Sequence, residues 1–130
     1  LGLFLRDDGD RRMAKLTADD PAEAERAEIQ ALWEASLEAY ERALALEPKN
    51  PAYLNDTAVI LHYNLRRDFE RALALYAEAT LEATRLLEAG GLDPETKDIV
   101  QIALRDSKNN RRTLERQLEK AKQPPAPAGG

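Results

Sequence analysis

Three times in this chain a residue with a short carbonyl-bearing side chain stands directly before a proline: Asp20-Pro21, Asn50-Pro51 and Asp93-Pro94. Such a pair marks the start of a helix. The side-chain oxygen at the capping position accepts from the free N–H groups of the first turn. Proline at the first helical position gives up no bond and has its φ already set. Glu23, three residues after Asp20, completes the pattern of a capping box. The stops are as plain: Pro48 follows the first segment, Arg66-Arg67 makes a short turn before Asp68, and Gly90-Gly91 offers the left-handed residue that closes many helices. The punctuation predicts helices over 21–47, 51–65, 69–89 and 94–121, with Asp68 as the cap of the one beginning at Phe69.

Between these marks apolar side chains recur at intervals of three and four, which draws one stripe along each helix. The first stripe is Ile29, Leu32, Trp33, Leu37, Tyr40, Ala43 and Leu44, with Glu25, Glu28, Glu34, Glu38 and Glu41 on the opposite face. The second is Leu54, Thr57, Ala58 and Leu61. The third is Phe69, Ala72, Leu73, Tyr76, Ala79, Ala83, Leu86 and Leu87. The last is Ile99, Val100, Ala103, Leu104, Asn110, Leu114 and Leu118. Its middle, Asp106-Ser107-Lys108-Asn109-Asn110, consists of poor helix formers, so a break there stands beside a single continuous helix as an alternative. Alternating runs of Val, Ile and Thr are absent, and strands have no support. The fold class is therefore all-α. The 130 residues suit one domain, over 1–122. Residues 123–130, Gln-Pro-Pro-Ala-Pro-Ala-Gly-Gly, have the composition of a disordered tail.

Composition removes several functions. Without cysteine there is no disulfide framework, thiolate metal site or cysteine nucleophile. No run approaches the roughly 18 apolar residues of a membrane span. Leu1 to Leu5 is too short for a complete signal peptide. The chain opens on Leu rather than Met, which leads us to expect a piece of a longer or processed protein. The compartment is not fixed by these features; cytoplasmic is the default. The net charge of −5 disfavours generic nucleic-acid binding. It is unevenly spread: residues 97–122 hold eight Lys or Arg against four Asp or Glu.

A literal repeat, Glu41-Arg42-Ala43-Leu44-Ala45-Leu46 and Glu70-Arg71-Ala72-Leu73-Ala74-Leu75, is best read as coincidence of common residues, since the first copy ends a helix and the second begins one. A different register is informative. Tyr40, Ala43, Leu44, Leu46 and Pro48 follow the order aromatic, small, apolar, proline, and a new helix begins at Pro51. Leu54, Thr57-Ala58 and Leu61 then precede the turn at Asp68-Phe69-Glu70-Arg71-Ala72, and Tyr76 and Ala79 repeat the aromatic and the small residue. This order resembles the tetratricopeptide repeat family, whose unit of about 34 residues is a helix-turn-helix. The resemblance covers 1–10 and 29–88, with Leu1-Gly2, Leu5 and Gly9-Asp10 as the end of a first helix near 1–8. It is interrupted by an insertion over 11–26. The second unit has a surplus of about two residues before its turn and lacks the closing proline. The resemblance implies antiparallel helix pairs stacked as a right-handed superhelix, with the helix at 94–121 as a C-terminal cap. It implies burial of Tyr40, Ala43, Leu61, Ala72, Tyr76 and Ala79 between helices.

The function implied is a non-catalytic scaffold that binds a protein or peptide, with no cofactor and no metal. In this family the first helix of each unit lines the concave surface, which makes Asn55, Val59, His62 and Tyr63 the partner-binding candidates. Asp56 stands where the family's clamp for peptide carboxylates has Asn, which speaks against that particular use. Nothing in the residues proposes catalysis. His62 is the only histidine, and Gly90-Gly91 lacks the Lys and Ser or Thr of a phosphate loop. Asp7-Asp8-Gly9-Asp10 lacks the ligand series and closing Glu of a calcium loop. The rival signal is the basic run on the last helix, where Arg105 and Arg112 would serve a nucleic acid or another anionic surface. Aromatics for base stacking are not interleaved there. A regulatory part of a larger enzyme is the third reading. Oligomeric state is left open.

Overall fold

The computed structural model describes residues 20–123, which form four helices and, among the described residues, no strand. Helix α1 spans Pro21–Leu46. Helix α2 spans Pro51–Val59 and runs on into a π-helical turn, Ile60–Leu65. Helix α3 spans Phe69–Ala89 and α4 spans Pro94–Lys122. The expected helix near 1–8 and residues 124–130 lie outside the described residues.

All three capped prolines do what their sequence implies. Asp20 Oδ1 accepts from the N–H groups of Ala22 and Glu23 at 3.1 and 3.2 Å, and Asn50 Oδ1 from those of Ala52 and Tyr53 at 3.0 and 3.2 Å. Asp93 accepts from both the N–H and the hydroxyl of Thr96, at 2.8 and 2.9 Å. These bonds, the backbone N–H of Thr96 first, hold the Asp93 carboxyl below its usual range. Asp68 behaves differently. It sits in the left-handed region, φ 53° and ψ 45°, and makes no side-chain cap, contrary to the expectation from the sequence; only its backbone carbonyl, accepting from Ala72 at 2.9 Å, acts as those of the other three caps do. Gly90 and Gly91 close α3 with φ of 71° and 77°.

The core lies among α2, α3 and α4. Leu54, Ala58, Leu61, Ala72, Tyr76, Ala79 and Leu114 are buried together, with Leu37 of α1 at one side. The alanines on the facing stripes let helices approach, and the leucines and Tyr76 fill the space between them. Helix α4 lies across both α3 and α2, burying Val100, Ala103, Ser107 and Leu114. It is continuous through 106–110 despite the poor formers there. Ser107 Oγ meets Thr80 Oγ1 at 2.8 Å, and Asn110 bonds Asn55, so tertiary hydrogen bonds outweigh the local propensity.

Burial of the expected stripes is uneven. Leu61, Ala72, Tyr76 and Ala79 are fully enclosed, but Tyr40 and Ala43 are only half-buried. In α1 only Leu37 is buried, Ile29 is exposed, and Leu32 is 65% exposed. The cause is position: α1 packs on α2 and its π-helical turn along one flank, while the rest of its apolar arc faces outward. Ile99 of α4 is likewise exposed rather than in the core.

Candidate functional site

The second helix does not finish as an α-helix. From Ile60 to Leu65 its turns widen to π-helical, and the chain then passes through Arg66 and Asp68, both in the left-handed region with φ of 54° and 53°. Side chains with a Cβ occupy that region at a cost of order 1–3 kcal/mol. Wide turns of this kind are frequent at functional sites, where they re-aim side chains that a regular helix would direct elsewhere.

The π-helical turn brings His62 and Tyr63 to the α4 side. His62 is 4% exposed, and both of its ring nitrogens are engaged. Nδ1 lies 2.9 Å from the Tyr76 hydroxyl and Nε2 lies 2.7 Å from Gln117 Oε1. Since that oxygen only accepts, Nε2 carries the proton, and the neutral ring then accepts at Nδ1 from the Tyr76 hydroxyl. Burial, and then the neighbouring Tyr63, push the Tyr76 phenol above its usual range, which keeps it a donor. The Tyr63 ring stacks on His62 with centroids 4.0 Å apart, and its hydroxyl donates to Asn110 Oδ1 at 3.3 Å. Asn110 in turn donates to Asn55 Oδ1 at 3.3 Å. Every described side-chain polar atom that is fully buried has a partner.

A cleft of about 300 Å³ opens over this layer, lined by His62, Tyr63, Arg66, Phe69 and Gln117. Tyr63 is 43% exposed at its wall. Arg66 is exposed and makes no ion pair with any described residue, whereas its neighbour Arg67 makes a bidentate pair with Glu34. The cleft thus joins an aromatic face, an exposed guanidinium and an amide, on a floor fixed by hydrogen bonds to two other helices.

The six candidate residues named from the sequence fall into three groups. His62 and Tyr63 meet in the cleft. Asn55 is buried beneath α4 and Val59 is half-buried against the core, so both support the cleft rather than line it. Arg105 and Arg112 are exposed elsewhere, on α4. Arg105 pairs with Asp106 at 3.1 Å, and Arg112 borders a depression of about 320 Å³ between α3 and α4 with Thr80, Lys108, Arg111 and Glu115. Sequence reasoning missed Arg66 and Gln117. Arg66 was hidden in what reads as a bare turn, and Gln117 lies 55 positions from His62.

One further electrostatic feature sits at the α2–α4 contact. Burial, then the Asp106 carboxylate, push the Asp56 carboxyl above its usual range, and a hydrogen bond from Asn55 offsets part of this. Among the described residues no group of three or more His, Cys, Asp or Glu is placed to hold a metal ion, and no helix is long and apolar enough to cross a membrane. Comparison with models of known protein families, with curated proteins and with solved structures finds no match to this chain.

Proposed function

We propose that this chain is a non-catalytic scaffold of the tetratricopeptide repeat type that binds a protein or peptide partner. The observation that carries the reading is the cleft at the π-helical turn. It offers an exposed aromatic and an exposed arginine with no ion pair among the described residues, two of the side-chain types that most often anchor a partner. Both rest on a layer already fixed by hydrogen bonds, so a partner would lose little to ordering the site. The cleft is small enough to take one or two side chains of a bound segment and too shallow to enclose a larger ligand.

The test is to select peptides from a random display library against the full chain and to titrate the winners by calorimetry. Saturable binding that weakens about tenfold or more in Tyr63→Ala and in Arg66→Glu is expected, which is at least 1.4 kcal/mol each. Failure to select any saturable binder, or binders indifferent to both substitutions, would overturn the proposal. The rival reading, an anionic partner on α4, is supported by Lys108, Arg111 and Arg112 around the α3–α4 depression, and predicts binding that is lost on charge reversal there and untouched at the cleft.

A further inference from the structure

The two outer helices carry opposite charge. Helix α1 has six Glu against two Arg, and α4 has eight Lys or Arg against five Asp or Glu. On α1, Leu32 and Ile29 stand exposed beside Glu25 and Glu28, which the spacing of three, four and seven residues sets on their side of the helix rather than on the opposite face expected from the sequence, and which make no ion pair with any described residue. Leu32 is the most exposed large apolar residue in the body of any helix, since Leu46 ends its own. A single exposed leucine needs no explanation, but an outward apolar arc edged by two exposed carboxylates has the form of a contact face.

On α4, the depression of about 320 Å³ against Thr80 of α3 is bordered by Lys108, Arg111, Arg112 and Glu115, three cations against one carboxylate. Arg111 is paired with Glu115 at 2.8 Å, but Lys108 and Arg112 make no ion pair with any described residue. The recess is large enough for a leucine side chain, and its border carries the charge that the α1 face lacks. An α1 face set against a second α1 face would put Glu25 and Glu28 near their own copies, which repel. The complementary surface is the α3–α4 groove.

We propose that the outer face of α1, centred on Leu32 with Glu25 and Glu28, docks into the α3–α4 groove bordered by Lys108 and Arg112 of a second copy of this chain. The contact is head to tail. It joins two different surfaces, so each copy keeps one free end and association continues into rings or short chains. The docking face is separate from the cleft at Tyr63 and Arg66, and the two proposals stand or fall apart.

The test uses the full chain in sedimentation velocity across a range of concentrations, at low and high salt. The mass of the wild type is expected to rise with concentration and to fall with added salt, because the charged rim is screened. L32E removes one end and K108E/R112E removes the other, so each variant alone is expected to be a monomer. Mixed in equal amounts they are expected to form a one-to-one dimer and stop, since each supplies the end its partner has lost. If L32E proves poorly folded by circular dichroism, E25Q/E28Q replaces it, which removes the carboxylates without making a basic face that the K108E/R112E groove could capture, with the same expectation alone and in the mixture. A wild type that stays monomeric at every concentration overturns the proposal; residues 1–19 or a different protein would then be the occupant of the α1 face. Dimers that persist in K108E/R112E overturn it as well, as does a mixture that remains monomeric.

Discussion

The Tyr76 hydroxyl donates to His62 Nδ1 across 2.9 Å, inside the stack, while His62 Nε2 reaches Gln117 at 2.7 Å. Three helices are thereby tied through one imidazole: α3 by Tyr76, α2 by its π-helical turn, and α4 by Gln117. Buried polar groups weaken a core unless all are satisfied, and here each has its partner. Removing one partner leaves the ring nitrogen dry and unpaired. Tyr76→Phe keeps the shape and deletes only the donor, so it is expected to cost about 1–3 kcal/mol in urea unfolding. The loss should be non-additive with His62→Leu, because the double variant has no orphaned nitrogen. Additive losses would show that the two residues do not act as a pair.

The small residues of α3 set how near the neighbouring helices lie. Ala72 and Ala79 have no solvent exposure. Ala72→Leu or Ala79→Leu adds three carbons where there is no room, and each is expected to lower stability by about 1–3 kcal/mol. The denaturation midpoint is the readout. A neutral result in both would mean that these positions are not tight contacts.

Asp56 gives a prediction with a definite sign. Its carboxyl is pushed above the usual range by burial and by Asp106, so the ionised form is disfavoured in the fold. A raised carboxyl pKa means that the folded state binds the proton more tightly, and this group therefore favours the fold as pH falls through its folded pKa. Asp56→Asn, which removes the charge at every pH, is expected to melt higher than the wild type at neutral pH. The gap should close as the pH is lowered and the wild-type carboxyl takes up its proton. Asp106→Asn should relieve part of the same repulsion. A gap that is constant with pH would assign the effect to packing rather than charge.

These residues also separate what a sequence reveals from what it does not. Helix starts were legible because Asp20-Pro21, Asn50-Pro51 and Asp93-Pro94 act within one turn of chain, where the side chain and the N–H groups it satisfies are neighbours. The bounds of α3 followed from Gly90-Gly91 for the same reason. The π-helical turn was not legible, because its cause lies in partners 14 and 55 positions away from His62. Propensity argued for weakness at 106–110, and it was Thr80 and Asn55, on other helices, that kept α4 whole. In α1 the periodicity marked an apolar arc correctly, but a stripe does not say how many neighbours will cover it; α2 and its turn cover one flank, and Ile29 and Leu32 are left outside. Of the five residues that line the cleft, His62 and Tyr63 came from family resemblance, Phe69 was legible only as part of an apolar stripe, and Arg66 and Gln117 came only from the fold.

The last prediction concerns α4, whose removal and whose charges should have unlike effects. Its inner stripe of Val100, Ala103, Ser107 and Leu114 covers α3 and α2, so deleting 94–122 would uncover Leu54, Leu61 and Tyr76 in part and strip Gln117 from His62. A truncated chain is expected to aggregate or to lose its cooperative unfolding transition. The outer residues contribute little by comparison. Among the described residues Arg105, two-thirds exposed, pairs only with the adjacent Asp106, and Arg112 has no ion pair. Exposed pairs of this kind are worth about 0–1 kcal/mol, so Arg105→Glu and Arg112→Glu together should leave the melting temperature nearly unchanged. The same double variant decides the nucleic-acid reading. If these arginines contact phosphates, the wild type should bind single- or double-stranded nucleic acid with an affinity that falls steeply with salt, and the variant should not bind. Titration at low salt is the stringent condition, since it favours any such binding. No binding there, with stability intact in the variant, leaves α4 as a structural cover whose charges serve a protein surface; salt-sensitive binding abolished by the reversal would move the functional face from the cleft at Tyr63 to the outer side of α4.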